Sequence, residues 1–424
     1  MLIKNKIYFI ISVLAFRLAL DASYFYFVSP IYTKSFLSLS LNFETGNYVV
    51  SWFLTLIISL SLSSKLNKVS DYFSILFVLT IVCPILSIYG LNSDKSIKPV
   101  ALTFLSYFVM LFVVKFKYVK SIKMPMFKNS RNLIVGFSVG AVTYLILWSI
   151  ISGAAFNINF DPTKVYDFRE ENSSMLDKGF LAYINLWVYK FFNIFIIIYF
   201  LSKNKYFLAI VFFVFQVFFY AVTAHKMVLF LPILAAGVWF YFSRTRELLI
   251  LPILYLFVVL ISLALFFLTS SELVPSMLIR RAFYVPAGLT YEWISFFDAN
   301  PKVYWTDSVF SFLGSYPYNS TIPKVVGEHL LGPELAANNG LVSSGYAHAG
   351  IFGVILYSLI LGYFLKLLDS VSKDGVPLWM SVALTVGPLR TAIADSDLLT
   401  AIISHGLVVS LVILILYRSK SGNY

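Results

Sequence analysis

The sequence predicts an all-α, polytopic membrane helix bundle of about twelve transmembrane helices, with a large extracytoplasmic loop capping its outer face. Three observations predict it. Of the 424 residues, 59% are hydrophobic and 12% are charged, about half the charge of a soluble domain. Twelve apolar runs of roughly bilayer-crossing length follow one another. Between the ninth and the tenth lies a polar stretch, 272–348, that is too long for a helix connection and too rich in aromatics for disorder. It therefore reads as a folded cap, and residues 1–424 read as a single integral membrane domain.

The apolar runs fall at about 7–28, 46–64, 72–91, 99–114, 132–153, 180–201, 206–222, 227–243, 248–271, 349–368, 376–394 and 398–417. The first follows a short basic N-terminus, Lys4-Asn5-Lys6, and continues to about Val28. It is thus a span rather than a cleaved signal peptide. Alternating sides from an inside N-terminus gives 18 Lys/Arg and 4 acids inside, against 12 and 15 outside. This asymmetry favours cytoplasmic termini, and it places the two long loops, 154–179 and 272–348, together on the outer face. No internal repeat of the kind found in many secondary transporters is visible.

Composition also excludes some functions. The net charge of +12 is spread over helix ends rather than gathered in one stripe, which argues against nucleic acid as a partner. The lone Cys83 provides neither a disulfide framework nor a cysteine metal site. No Gly-x4-Gly-Lys-Ser/Thr loop is present, which argues against ATP hydrolysis. Within the spans, Arg17 and Asp21 are four apart and predict a structural ion pair. Lys190 in the sixth span is either a packing partner or a cavity charge, and His405 reads as a satisfied core histidine.

In this topology several cations converge on the outer face. Arg280 and Arg281 follow the ninth span, His225-Lys226 occupies the turn between the seventh and eighth, Arg390 lies near the outer end of the eleventh, and Arg169 lies in the first long loop. Singly, each is an interfacial anchor. Together they suit a phosphate or diphosphate, and Lys226 opens a helix whose amides also favour an anion. Candidate bases are His348, at the mouth of the tenth span, and Glu328, with Glu292, Asp298 and His329 as rivals. His348 also fits a loop-to-helix hydrogen-bond post. Gly345, Gly350 and Gly353 beside it predict close backbone approach.

The loop aromatics, Trp293 and Tyr304 among them, fit either the stacking of sugar rings or an interfacial belt. Asp395-Ser396-Asp397 resembles the Asp-x-Asp pairs that hold a divalent ion in some glycosyltransferases. The same acids also suit the dipole at the start of the last span.

The assembled pattern resembles the O-antigen (oligosaccharide repeat-unit) polymerases of the Wzy type, within the membrane glycosyltransferase C-like superfamily. In architecture the resemblance covers the whole chain. In sequence it rests on Thr223-Ala224-His225-Lys226, where relatives often show Thr-Gly-Ser followed by Arg or Lys; on Arg280-Arg281; and on Asn339-Gly340 through Tyr346-Ala347-His348-Ala349-Gly350-Ile351-Phe352-Gly353. Some members carry Arg-x10-Gly in both long loops. Here nine residues separate Arg169 from Gly179, and neither Arg280 nor Arg281 has a glycine at that distance.

The resemblance implies an inverting glycosyltransferase of lipopolysaccharide biosynthesis, in the bacterial inner membrane, that uses neither metal nor cofactor. It would move a glycan from undecaprenyl diphosphate onto a new lipid-linked repeat unit at the periplasmic face. Donor and acceptor are both undecaprenyl-diphosphate-linked oligosaccharides reached through the membrane lipid, and a chain-length-regulating co-polymerase is a possible partner. Lys226, Arg280 and Arg281 would hold the diphosphate, with His225, Arg169, Arg390 and Tyr346 also in the substrate site and His348 or Glu328 as base. The alternatives are an O-antigen ligase acting on lipid A core and, from a different class, a lipid-linked oligosaccharide flippase.

Overall fold

A computed structural model of the chain describes residues 2–35, 37–119, 124–160, 165–176, 178–308, 310–332 and 336–420. The architecture is all-α, apart from a two-residue parallel pairing of Phe127–Lys128 with Ser419–Lys420. Among the described residues nine helices are long and apolar enough to cross a membrane, which marks a multi-pass membrane protein. Three shorter apolar helices, Thr45–Ser61, Lys226–Phe242 and Leu378–Ala394, fall on the second, eighth and eleventh apolar runs. The chain divides into two compact units. The first comprises Met1–Ser121, Glu247–Lys366 and Arg390–Thr400; the second comprises Ile122–Arg246, Leu367–Leu389 and Ala401–Tyr424.

The first unit is built around Val69–Leu91, a helix that is apolar on every side and buried throughout its hydrophobic window. Such a helix belongs in an interior rather than at a boundary. The N-terminal helix packs along Ile250–Thr269, and Thr45–Ser61 packs along Cys83–Leu91. Arg17 and Asp21 do pair, at 2.7 Å. The same guanidinium donates to the Leu86 carbonyl at 2.7 Å and the Cys83 carbonyl at 3.3 Å. An ion pair inside a bundle needs such extra bonds to offset its desolvation.

Three helices of this unit contain a π-helical turn followed at once by a proline. Tyr24–Val28 precedes Pro30, Val78–Val82 precedes Pro84, and Ser276–Tyr284 precedes Pro286. Proline lacks a backbone donor and clashes with the carbonyl one turn back. A widened turn ahead of it redirects that carbonyl, so the chain stays helical across the proline.

The second unit centres on Gln216. Its side-chain amide donates to the Tyr189 carbonyl at 2.8 Å and the Val228 carbonyl at 2.7 Å, and its oxygen accepts from Asn193 at 2.5 Å. These bonds tie together the helices Leu181–Ser202, Tyr206–Thr223 and Lys226–Phe242. Interhelical amides of this kind hold bundles in which apolar surface provides little preference between helix and lipid.

Both long loops carry helices. Residues 165–176 of the first form the helix Val165–Leu176; Asp161 and Pro162 lie outside the described residues. In the second, Ser276–Tyr284 and Val285–Ala299 run on continuously, and Ile322–Leu331 forms a separate helix. A helical arm starting at Leu341 continues past a break at Ala349 and Gly350, where Gly350 takes φ +59°. The break separates Leu341–His348 from the helix that follows, so the tenth span begins after it, in keeping with its apolar run. Trp293 is not free to stack on a sugar, because its ring is buried and its indole N–H donates to the Ala337 carbonyl at 3.0 Å. Tyr304 is exposed.

Candidate functional site

The first unit holds Arg280, Arg281, Glu328, Tyr346, His348 and Arg390; the second holds Arg169, His225 and Lys226. Arg280 and Arg281 lie on the π-helical turn Ser276–Tyr284, which is anchored by Tyr284. That phenol donates to the Leu20 carbonyl at 2.6 Å and lies 3.2 Å from the Ser87 hydroxyl. Ile279 and Phe283 are also buried, so the turn is fixed on its inner side while its arginines remain on the outer. The Arg280 guanidinium sits 4.3 Å over the Tyr32 ring, and its Nε is buried with no hydrogen-bond partner among the described residues. Arg281 is exposed. Neither arginine meets a carboxylate within 4 Å among the described residues.

His348 is buried, and its environment is built by the segment 303–305. Val303 N–H donates to the Ala347 carbonyl at 3.0 Å, Tyr304 N–H to the His348 carbonyl at 2.9 Å, and Trp305 N–H to His348 Nδ1 at 3.2 Å. Tyr304 and Trp305 achieve this at φ +49° and +60°, a left-handed pair that bulky residues adopt only under constraint. Accepting at Nδ1 leaves the imidazole proton on Nε2, which lies 3.4 Å from Asp397 Oδ2. The Trp305 ring stacks on the imidazole at 5.1 Å and 13°.

The Trp305 indole donates to Tyr357 Oη at 3.0 Å, and Tyr357 donates to Asp397 Oδ2 at 2.7 Å. Asp397 Oδ1 in turn accepts the Leu399 and Thr400 amides at 2.9 and 3.1 Å. Burial pushes the Asp397 carboxyl up, but the bonds from His348, Tyr357 and Thr400 outweigh it and hold it below its ordinary value. With both ring nitrogens engaged, His348 is the post that joins segment 303–305 to the start of the Leu398 helix.

Asp307, two residues past Trp305, was not among the groups the sequence singled out. It is accessible to solvent, yet the protein packed around its carboxyl raises its pKa, against the opposing pull of His348. A carboxyl raised in the folded state stabilises most below its unfolded value of about 3.9, and it costs stability as pH rises through the folded value. Asp307→Asn is therefore expected to raise the melting temperature at pH 7 and to leave it unchanged at pH 3.5. Equal melting temperatures at pH 7 would contradict this.

The other candidates are dispersed. Arg390 is ion-paired with Asp395, and Asp397 is committed to His348 and Tyr357, so the two acids of Asp395-Ser396-Asp397 serve different partners. Among the described residues no group of three His, Cys, Asp or Glu side chains gathers as a metal site. Glu328 and His329 are exposed on Ile322–Leu331, with His329 lying 5.2 Å from the Phe296 ring. The Tyr346 hydroxyl donates to Asp298, whose two carboxylate oxygens also both accept from the Lys98 ammonium at 2.7 Å. Burial raises the Asp298 carboxyl, but the bonds from Lys98 and Tyr346 bring it below its ordinary value.

In the second unit, Ala224 takes a left-handed conformation, φ +49°, and closes the Tyr206–Thr223 helix; exposed His225 and Lys226 follow, and Lys226 opens the next helix. Val165–Leu176 packs on this turn. Phe168 meets Ala224, and Asn172 donates to the Val222 carbonyl at 2.8 Å. The helix bearing Arg169 is thus held against the turn bearing Lys226, while the Arg169 side chain itself lies outside the described residues. No protein-family model matches the chain, and no curated protein or solved structure matches it either.

Proposed function

We propose that the protein is an O-antigen-type polymerase, an inverting glycosyltransferase that transfers a growing glycan from undecaprenyl diphosphate onto a lipid-linked repeat unit. In this reading twelve helices span the inner membrane, both termini are cytoplasmic, and the long segments 154–179 and 272–348 cap the periplasmic face. The observation that carries the reading is the adjacent pair Arg280–Arg281. It lies on a rigidly anchored turn, with no compensating carboxylate among the described residues and with one guanidinium nitrogen buried and unpaired. The buried, unpaired nitrogen of Arg280 is costly to leave without an acceptor, and arginine pairs suit the oxygens of a diphosphate.

A lipid diphosphate is its own activated leaving group. Transfer therefore needs charge stabilisation at the departing phosphate and a base at the acceptor hydroxyl. Arg280 and Arg281 provide the first; Lys226 is the cation at the family's other motif. Ala224 supports that motif, since it holds a left-handed conformation where relatives place glycine. Asp307, exposed on the segment that His348 and Asp397 hold, is the candidate base for the acceptor hydroxyl, alongside Glu328.

The test uses the purified protein with one synthetic undecaprenyl-diphosphate repeat unit, with and without chelator. A ladder of longer lipid-linked chains is expected in both. Arg280→Ala and Arg281→Ala should each slow it by about 100-fold or more, the scale set by losing one preorganised charge-stabilising donor. Near-normal ladders in both variants would sink the diphosphate reading. Glycan found on lipid A core would make the protein a ligase.

A further inference from the structure

A second site lies in the first unit, away from the arginine turn. Along Val285–Ala299, residues Tyr291, Glu292, Ser295 and Asp298 follow one another at helical three- and four-residue spacing, so they share a face. Opposite them stands the segment 95–98 at the start of Lys98–Lys115. Together they enclose a cleft of about 260 Å³. Lys95 pairs with Glu292 at 2.9 Å and Lys98 with Asp298 at 2.7 Å. Both pairs join wall to wall.

The two ammoniums face three carboxylates, since Asp94, which accepts from the Asn42 amide at 2.9 Å, also lines the cleft, and the surplus of negative charge disfavours an anion. The cleft does offer fixed donors and acceptors side by side: the Lys95 and Lys98 ammonium protons, the exposed Ser295 hydroxyl, and the Glu292 and Asp298 oxygens. A hydroxyl is both donor and acceptor, and a polyol is the ligand that uses such an alternation. The volume is below the range typical of drug-sized ligands, which limits the occupant to about one ring. Stability alone is a weak reason for the Lys98–Asp298 pair, whose side chains are 41% and 40% exposed, because exposed ion pairs contribute little.

We infer that this cleft binds a neutral monosaccharide ring. Resting on the polymerase reading, the ring is a sugar of the repeat unit beyond the one on the phosphate, because Arg281 and Glu292 are eleven residues apart on a continuous helix, about 16 Å along its axis.

The test is saturation-transfer NMR on the full chain in phosphatidylethanolamine–phosphatidylglycerol nanodiscs. The probes are glucose, galactose, mannose, N-acetylglucosamine and rhamnose, each with and without inorganic pyrophosphate as competitor. At least one sugar should receive saturation. Ser295→Trp, which fills the cleft, and Glu292→Gln, which breaks one pair without changing its shape, should each reduce the transfer at least fivefold. Gly140→Ala, whose added Cβ meets nothing within 4 Å, should leave it unchanged.

No transfer to any sugar, transfer undiminished in both cleft variants, or displacement by pyrophosphate overturns the inference. The two readings fail separately. A ladder without sugar transfer removes the cleft and keeps the polymerase, whereas sugar transfer without a ladder does the reverse.

Discussion

Arg17→Met is expected to destabilise the protein by about 3–5 kcal/mol, the cost of leaving one member of a buried ion pair without its partner. Arg17 is fully buried and Asp21 is 5% exposed. Removing the guanidinium leaves the buried carboxylate to neutral donors, the Ser87 hydroxyl at 2.7 Å and the Tyr48 and Trp52 side chains, with no opposing charge. It also strands the Leu86 and Cys83 carbonyls that Arg17 now serves. Methionine fills comparable volume, so cavity formation adds little. The measurement is unfolding of the purified protein in mixed detergent. Arg17→Met combined with Asp21→Leu should recover most of the loss, because an apolar pair of similar volume replaces an ion pair at small net cost. A double variant no more stable than the single one would show that Arg17 acts through its carbonyl bonds rather than through Asp21.

Gly353→Ala is expected to disrupt the arm that carries His348. A Cβ built on Gly353 would stand 1.9 Å from the Gly345 carbonyl oxygen, and one on Gly345 would stand 2.9 Å from the Gly353 oxygen. The obstacle in each case is backbone, which has no rotamer to yield. The two stretches must therefore separate, at a cost of at least the 1–3 kcal/mol typical of overpacking. Separation moves His348 relative to both Asp397 and segment 303–305. Gly136→Ala and Gly140→Ala are the controls, since a Cβ at either position meets nothing within 4 Å. Both should be neutral or slightly stabilising, because alanine outranks glycine in a helix. Melting temperatures of the three variants decide the matter. A Gly353→Ala protein that melts with its controls would refute the close packing.

The spans were legible because bilayer-length apolar runs are a strong one-dimensional signal, and the Arg17–Asp21 pair because a four-residue interval is local. The glycines around His348 were legible for the same reason: Gly345, Gly350 and Gly353 lie within one short stretch, and their crowding is local. Helices inside 272–348 were obscured, since that stretch mixes prolines, charges and aromatics and lacks a clean apolar stripe. Pro84, inside the apolar run 72–91, is the one local signal of a π-helical turn, whereas Pro30 lies past the first run and Pro286 within the polar stretch. Nothing in the sequence relates His348 to Asp397, or Lys95 and Lys98 to Glu292 and Asp298. Their partners are tens to hundreds of residues away, and only tertiary packing sets those distances. Asp307 was passed over because its altered carboxyl comes from surrounding atoms, not from its sequence neighbours.

The bonds from Arg17 to the Val69–Leu91 helix constrain the order in which the chain is made. The guanidinium is synthesised 69 residues before the Leu86 carbonyl it will occupy. At 5–20 residues per second the interval is roughly 3–14 s. Through that wait the nascent first helix has only Asp21, one turn along, to neutralise its charge. Asp21 is thus the escort that makes early insertion tolerable, and the later helix arrives as the receptor that completes the coordination, its Ser87 hydroxyl included.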